Sequence, residues 1–145
     1  MNNTIENGNL YENTPIGDKG YVQYIGQITR AHLGDMATSI STQDVVLTDE
    51  RRRHIIDRHK DDYPAFKDNV LRILQEPNTV LVDEKNVHTV MYIGELDDSH
   101  LNIVIKLVLS EEITERKNSI MTAYKLGNKT LRRLKKKNRI LYNKE

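Results

Sequence analysis

The sequence predicts an α+β fold, in which helices are followed by an antiparallel sheet and then by a basic C-terminal helix or tail. Two stretches of helical periodicity, near residues 49–59 and 64–75, precede four β-rich segments. The chain has 145 residues, about the size of one domain. We therefore expect a flexible segment over 1–20, a single domain over 21–128 and the basic helix or tail over 129–145.

Both helices carry start or stop signals. Thr48 is a suitable N-cap for the first helix, because a threonine oxygen accepts a hydrogen bond from a backbone N–H of the first turn. Asp49 and Glu50 follow, where the helix dipole favours acidic side chains. The segment "DDYP" then breaks the pattern. The second helix is expected from about Pro64 to Gln75, with apolar residues at helical spacing: Phe66, Val70, Leu71 and Leu74.

The β-rich segments alternate in hydrophobicity and are separated by polar turns. Two precede the first helix, "YVQYIGQIT" and "DVVLT". Four more follow the second helix: "TVLVDE", "VHTVMYIGEL", "HLNIVIKLVLS" and "NSIMTAYKL". Successive strands joined by polar turns indicate an antiparallel meander.

Composition limits the chemistry available to the chain. There is no cysteine, which excludes disulfides, thiolate metal sites and a cysteine nucleophile, and fits a reducing compartment. The first twenty residues lack the basic and apolar runs of an export signal, and no stretch approaches the roughly 20 apolar residues of a membrane span. We expect a cytoplasmic protein with no membrane partner.

Charge is distributed unevenly along the chain. Residues 1–50 contain two basic residues against seven acidic ones, whereas residues 129–145 contain eight basic residues against one acidic residue. The basic end is therefore either an attachment site for an anionic partner, with nucleic acid as the first candidate, or the solvated face of a terminal helix. Its candidate contacts are Arg132, Arg133, Lys135, Lys136 and Lys137.

Two histidines lie in "RRRHIIDRH", residues 51–59. At 100° per residue, Arg51, His54 and Arg58 form one ridge, and His59 faces about 140° away from His54. Two histidines that share a metal on one helix are four residues apart instead. We expect neither a metal site nor a cofactor.

Each histidine has two interpretations at this point. His59 lies on the side of the helix expected to face the sheet, so it is either a structural histidine or a general acid or base in a sheet-floored cleft. His54 is either a solvated residue of the ridge or a phosphate contact beside Arg51 and Arg58.

Three strand residues are further candidates. Lys106 interrupts an apolar strand, which is costly unless its ammonium group meets an anion or reaches water. Thr122 and Tyr124 share one face of the last strand. Threonine and tyrosine are also common in sheets for structural reasons alone. If Lys106, Thr122 and Tyr124 converge with a histidine of the helix, the four residues would form a site that binds a phosphodiester.

The order of several short motifs resembles a known family. They are "VVLTDERRRHIIDRH", "LQEPNTVLVDE", "YIGEL", "NIVIKLVL" and "IMTAYKLG", which together span about Ile25 to Leu126. This order is similar to that of the phage-associated nuclease-like domains of the BECR group, named for barnase, EndoU, colicin RNases and RelE toxins. The resemblance implies a compact α+β fold, with N-terminal helices packed on a four- or five-stranded antiparallel sheet, and a metal-independent RNase activity.

The resemblance also implies site residues. His59 is the first candidate for the catalytic histidine and Thr122 for a strand residue at the active face, followed by His54, Arg58, Lys106 and Tyr124. The expected function is that of a prophage or mobile-element endoribonuclease, or toxin, that cleaves tRNA or mRNA by 2′-hydroxyl attack. Its partners would be RNA and an inhibitor or immunity protein. The alternative is a non-catalytic module on the same fold that binds a host protein or nucleic acid.

Overall fold

A computed structural model describes residues 5–6, 9–10, 14–15, 21–110 and 116–144. The flexible segment expected over 1–20 lies largely outside these residues. The strands and helices are, in chain order, β1 (Ile5–Glu6), β2 (Asn9–Leu10), β3 (Thr14–Pro15), β4 (Tyr21–Gln27), β5 (Asp44–Thr48), α1 (Asp49–Arg58), α2 (Tyr63–Gln75), β6 (Thr79–Val82), β7 (Thr89–Glu95), β8 (His100–Lys106), β9 (Asn118–Leu126), α3 (Asn128–Lys137) and β10 (Ile140–Asn143). Short 3₁₀ segments cover Arg30–Met36 and Lys60–Asp62.

The α+β class is confirmed, but the predicted four- or five-stranded antiparallel sheet is wrong. The structure has one mixed sheet of seven strands, β10-β6-β7-β8-β9-β5-β4, extended at the β4 edge by the two-residue β3. Strands β6 to β9 form the predicted antiparallel meander. The β5–β9 pair is parallel. The helices are not N-terminal to the sheet either, since β4 and β5 precede α1 in the chain.

The main core lies between α1, α2 and one face of the sheet. Helix α2 buries four residues, Phe66, Val70, Ile73 and Leu74, and α1 buries Ile55. They pack on alternate residues of the strands, which include Tyr92 of β7 and Ile103 and Ile105 of β8. Each fully buried residue of this kind contributes about 1.5–3 kcal/mol relative to an exposed one.

Helix α3 packs on the opposite face of the sheet. There a smaller apolar cluster is formed by the intervening strand residues Leu81, Met91, Ile93 and Val104. Leu131 and Leu134 of α3 lie against it, at the i, i+3 spacing that puts them on one side of a helix. The basic C-terminal helix is therefore confirmed over 128–137, and its apolar stripe docks on the sheet.

The chain ends in a strand that the sequence analysis missed. After α3, β10 pairs antiparallel with β6, with Ile140 opposite Leu81 and Tyr142 opposite Val80. The Tyr142 ring also contacts His32 at a centroid distance of 4.5 Å. Residues 140–143 are thus part of the sheet edge, and only residues 128–137 of the basic end are helical. None of the helices in the described part of the chain has the length and apolar content needed to cross a membrane.

Helix α1 begins where it was predicted and ends one residue earlier. The Thr48 hydroxyl accepts a hydrogen bond from the Arg51 N–H at 3.2 Å, which confirms it as the N-cap. The Asp49 carboxylate forms ion pairs with Arg52 and Arg53 of the next turn. The helix stops at Arg58, and His59 has a non-helical backbone with φ −136° and ψ 49°.

Helix α2 makes its closest approach to the sheet at Gly94 of β7. A Cβ added there would collide with Ile73 Cγ1 and lie 2.8 Å from Ile73 Cδ1. Overpacking of this kind forces side chains off their rotamers. We therefore expect Gly94→Ala to lower the free energy of unfolding by about 1–3 kcal/mol in urea denaturation. Gly127→Ser is the control, because a Cβ at Gly127 meets nothing within 4 Å and serine is a good N-cap for α3. Equal stability of the two variants would contradict the close contact.

Candidate functional site

A cavity of about 360 Å³ opens on the face of the sheet that α3 packs on. It lies next to the residues that α3 covers. Three residues singled out in the sequence line it together: Arg51 of α1, Lys106 of β8 and Thr122 of β9. The rest of its wall is formed by Asn86, Val87, Thr89, Val104 and Met121. Helix α1 and the meander, which are distant in sequence, thus contribute to one site.

The contact between α1 and β9 depends on an irregularity in β9. Val104 pairs with Thr122 and Ile105 with Ile120, so Met121 is an extra residue in the β8–β9 ladder. The Met121 carbonyl accepts a hydrogen bond from Arg51 Nε at 2.8 Å. This bond fixes the guanidinium at the cavity while using only one of its five N–H donors.

Lys106 is the last residue of β8 and is exposed. It lies opposite Thr89 of β7 and Ser119 of β9 in the sheet. The cost expected for a lysine in an apolar strand is avoided, because the side chain reaches solvent at the end of the strand. Its ammonium group is therefore available to an anion in the cavity.

Two polar atoms near the cavity are buried and lack a hydrogen-bond partner in the described structure, Thr122 Oγ1 and Asn102 Oδ1. Burying a polar group without a partner costs about 1–3 kcal/mol, and native proteins contain few such groups. Thr122 lines the cavity, although its hydroxyl oxygen is itself buried. Asn102 is fully buried, and its Nδ2 donates to the Tyr124 hydroxyl at 3.2 Å.

His59 and Tyr124 form an aromatic pair, and neither these two residues nor His54 lines the cavity. Their ring centroids are 5.2 Å apart at an interplanar angle of 35°. Tyr124 lies two residues beyond Thr122, so both side chains are on the same face of β9. His59 thus contacts β9 through Tyr124, and it does so from the residue that follows the end of α1.

The prediction that the two histidines face about 140° apart is wrong. His59 has left the helix, and its ring lies 6.5 Å from that of His54, edge to face. Helical geometry therefore does not apply to this pair. In the described part of the chain, no three His, Asp or Glu side chains are grouped as metal ligands would be.

Burial lowers the pKa of the His54 imidazole below its ordinary value of 6.5. The charges of Arg51, Arg58 and His59 lower this pKa further, because they disfavour a second cation nearby. Asp57 acts in the opposite direction and is the weakest of these contributions. His54 is consequently neutral at pH 7 and able to accept a proton.

The other predicted phosphate contacts lie outside the cavity. Arg58 is exposed at the end of α1 and does not line it. The basic residues of α3 do not line it either: Arg132, Arg133, Lys136 and Lys137 are exposed, and Lys135 is half-buried. They surround the apolar stripe of α3 and face solvent, so they form a separate basic surface.

Sequence reasoning missed Asn102 and the loop residues Asn86 and Val87. Asn102 is a fully buried polar residue in an apolar strand, on the same face as Lys106, and that pattern was visible in the sequence. Asn86 and Val87 carried no signal, because the loop reaches the cavity only through the folding of β6 and β7. Val87 is 71% exposed, which is unusual for a valine, and lies at the cavity wall.

A comparison with family models agrees with the motif order in the sequence. The family PBECR2, described as phage-Barnase-EndoU-ColicinE5/D-RelE like nuclease2, matches residues 23–143. The match includes every strand and helix that contributes to the cavity. No curated protein and no solved structure matches the chain. The family resemblance inferred from the sequence is confirmed.

The electrostatic effect on His54 predicts a titration result. The imidazole should titrate below pH 6.5 by NMR, and Arg58→Gln should move its midpoint upward, because one of the cations acting on it is removed. Arg53→Gln is the matched control on the same helix, since Arg53 pairs with Asp49 and does not contribute to the His54 shift. A midpoint equally displaced by both variants, or by neither, would contradict this origin of the shift.

Proposed function

Since the chain belongs to the PBECR2 family of phage nuclease-like domains, we propose that it is a metal-independent endoribonuclease of prophage or mobile-element origin. Nuclease-like function follows from the family; the RNA substrate and the mechanism are the proposal. One observation carries it above all: Thr122, whose buried hydroxyl has no partner in the described structure, lines a cavity that Arg51 and Lys106 also line. Two cations and an unsatisfied hydroxyl are the groups that a phosphodiester requires.

The cavity residues bind the scissile phosphate and stabilise its charge. Arg51 is held by the Met121 carbonyl, so its orientation is set before the substrate arrives. Lys106 adds a second positive charge, and Thr122 donates its hydroxyl to a phosphate oxygen. Positive side chains placed where charge develops in the phosphorane provide the stabilisation that a metal ion supplies in other nucleases.

The two histidines carry out the proton transfers. His54, neutral at pH 7, takes the proton of the ribose 2′-hydroxyl as the 2′-oxygen attacks phosphorus. The bond from phosphorus to the 5′-oxygen breaks, and His59 in its protonated form gives that oxygen a proton. The products are a 2′,3′-cyclic phosphate and a 5′-hydroxyl. Water then accepts the proton from His54, and a proton from water returns to His59, which restores the enzyme.

The mechanism selects RNA over DNA, because the attacking oxygen belongs to the 2′-hydroxyl. Tyr124, paired with His59 and held through its hydroxyl by Asn102, offers a surface on which a base next to the cleaved phosphate stacks. The exposed basic residues of α3 add affinity for the backbone that is independent of sequence. We infer a cytoplasmic target such as tRNA or mRNA, and an inhibitor or immunity protein in the producing cell, since an unrestrained RNase is toxic.

The mechanism is tested by cleavage of bulk tRNA and mRNA in excess EDTA. The native protein should produce fragments with 2′,3′-cyclic phosphate ends. We expect a loss of about 10²–10⁴ in rate for His59→Ala and for His54→Ala. Lys106→Met and Thr122→Val should lose about 10²–10³ through weaker charge stabilisation. Lys67→Met, on an exposed residue of α2, is the control and should cleave like the native protein.

Two results would oppose this proposal. Cleavage that EDTA abolishes would show a dependence on a metal ion. RNA binding without cleavage, unchanged in the His59 variant, would favour the non-catalytic binding module on the same fold.

The basic surface of α3 has its own test. Deleting residues 129–145 is unsuitable, because it would uncover the Leu81 cluster and remove β10. Substituting glutamine for the four exposed basic residues keeps the apolar stripe. We expect weaker RNA binding and a salt dependence that flattens by up to about 0.7 per lost phosphate contact. The variant replaces Arg132, Arg133, Lys136 and Lys137. An unchanged salt slope would exclude α3 as the anchor.

A further inference from the structure

The cavity that carries Thr122 has a polar part and an apolar part. The proposed reaction uses only its polar residues, Arg51, Lys106 and Thr122. The cavity volume of about 360 Å³ is typical of sites that hold an organic ligand. A phosphodiester group gains nothing from apolar walls, yet three lining residues are apolar: Val87, Val104 and Met121. This part of the cavity needs an explanation of its own.

Val87 is the most exposed large apolar residue in the described part of the chain, at 71%. A single exposed apolar side chain is ordinary on a protein surface. Val87 differs from that case, because it lines a cavity together with Met121 and Val104. The three side chains therefore offer a ligand one apolar surface next to two cations.

The loop that carries Val87, residues 83–88, is held by its own hydrogen bonds. Asp83 Oδ1 accepts from the Lys85 N–H at 3.0 Å, and Asp83 Oδ2 accepts from Asn86 Nδ2 at 2.9 Å. The Val87 carbonyl accepts from the Thr89 hydroxyl at 3.0 Å. These bonds use the backbone of Val87 and the side chains around it, and they leave the Val87 side chain itself unused.

The same loop is also tied to the rest of the domain. The Glu84 N–H donates to Asn138 Oδ1, at the end of α3, at 3.0 Å. The Leu107 N–H donates to the His88 carbonyl at 2.7 Å. These contacts maintain His88 at a φ of +59°, which residues other than glycine rarely adopt. Val87 is thus presented in a fixed position, so little entropy is lost when a ligand packs on it.

Met121 reaches the cavity because of the extra residue in β9. In a regular strand, neighbouring side chains point to opposite faces of the sheet. Met121 and Thr122 nevertheless line the same cavity, since the β8–β9 ladder has its irregularity at Met121. A methionine side chain is flexible and polarisable, so it adapts to the face of an aromatic ring. The irregularity therefore puts apolar surface directly beside Thr122.

The apolar surface and Tyr124 lie on opposite sides of Thr122 along β9. Tyr124 is two residues beyond Thr122 in the strand. Val87 lies toward the other end, because Thr89 pairs with Lys106, and Lys106 pairs with β9 ahead of Thr122. A phosphodiester carries one nucleoside on each side. A phosphate bound at Thr122 thus has one base directed toward Tyr124 and the other toward Val87.

We propose that Val87 and Met121 bind a nucleobase, the one on the side of the cleaved phosphate away from Tyr124. A nucleotide joins a flat, largely apolar base to an anionic phosphate, which matches an apolar surface beside two cations. The substrate class is then single-stranded RNA, because only unpaired bases are free to turn onto side chains. This inference rests on the proposed function, since it takes Arg51, Lys106 and Thr122 as the phosphate site.

Binding of dinucleotides that cannot be cleaved tests the base site. The probes are a 2′-deoxy dinucleoside phosphate and its two derivatives in which one base is replaced by hydrogen, each titrated by NMR. In the native protein, removal of either base should weaken binding about five- to tenfold. In Val87→Ser, removal of one of the two bases should lose its effect. Val87→Ile should keep that effect, which separates loss of apolar surface from a change in the loop.

Lys106→Met is the control for the phosphate and should weaken all three probes alike, because they share that group. Native binding that responds to the loss of neither base would overturn the base site. So would a Val87→Ser variant that responds to the loss of each base as the native protein does. Because the probes lack the 2′-hydroxyl, these results do not depend on cleavage. Failure of the proposed function appears separately, as unchanged binding in Lys106→Met and absence of cyclic phosphate ends in the RNA assay.

Discussion

The hydrogen bond from Arg51 to the Met121 carbonyl joins the two halves of the site. The parallel β5–β9 ladder consists of only two residue pairs, Val45 with Asn118 and Val46 with Ser119. Beyond Ser119, α1 packs beside β9, and the extra residue in β9 provides a carbonyl for Arg51. A hydrogen bond to a charged group of this kind is worth about 1.5–3 kcal/mol. The bond sets how far α1 lies from β9. It therefore also sets how far His54, in α1, and His59, at its end, lie from the strand that bears Thr122.

The site shows how a small domain concentrates positive charge without losing its fold. Arg51 and Lys106 come from α1 and the end of β8, so the fold brings together charges that are separated in sequence. Lys106 lies at the end of its strand, where water solvates it before a ligand arrives. The buried hydroxyl of Thr122 and the lowered pKa of His54 are the local costs of this arrangement. Such costs are typical of sites that bind a charged partner.

Helix α3 has a double role that its charge alone did not reveal. Leu131 and Leu134 cover the smaller apolar cluster of the sheet, which includes Leu81 and Met91. Strand β10 then pairs with β6 at the edge of the sheet. The part of the same face that carries Val104, Lys106 and Thr122 stays open as the cavity. The basic side chains of α3 consequently face solvent on the same side of the sheet as the opening. A long anion that enters the cavity can extend over this surface.

Local order along the chain was readable from the sequence. The cap at Thr48, the periodicity of α2 and the alternation in β6, β7 and β9 gave the elements to within about two residues, because each depends on neighbouring residues only. The predicted segment for β8 ran to Ser110, but the strand ends at Lys106. The same alternation separated Ile103 and Ile105 from Asn102 and Lys106.

Sheet order, the parallel pairing of β5 with β9 and the addition of β10 depend on contacts between distant segments, and only the tertiary structure determined them. The same distinction holds for the site: the sequence identified single residues, and only the tertiary structure showed which of them lie together. Residue type identified Arg51, His54, His59, Lys106, Thr122 and Tyr124 as candidates. Their grouping required the end of α1 at Arg58, which brings His59 near His54, and the extra residue in β9, which binds Arg51. Asn102 gained its importance only from its neighbours, since burial is a property of the folded chain.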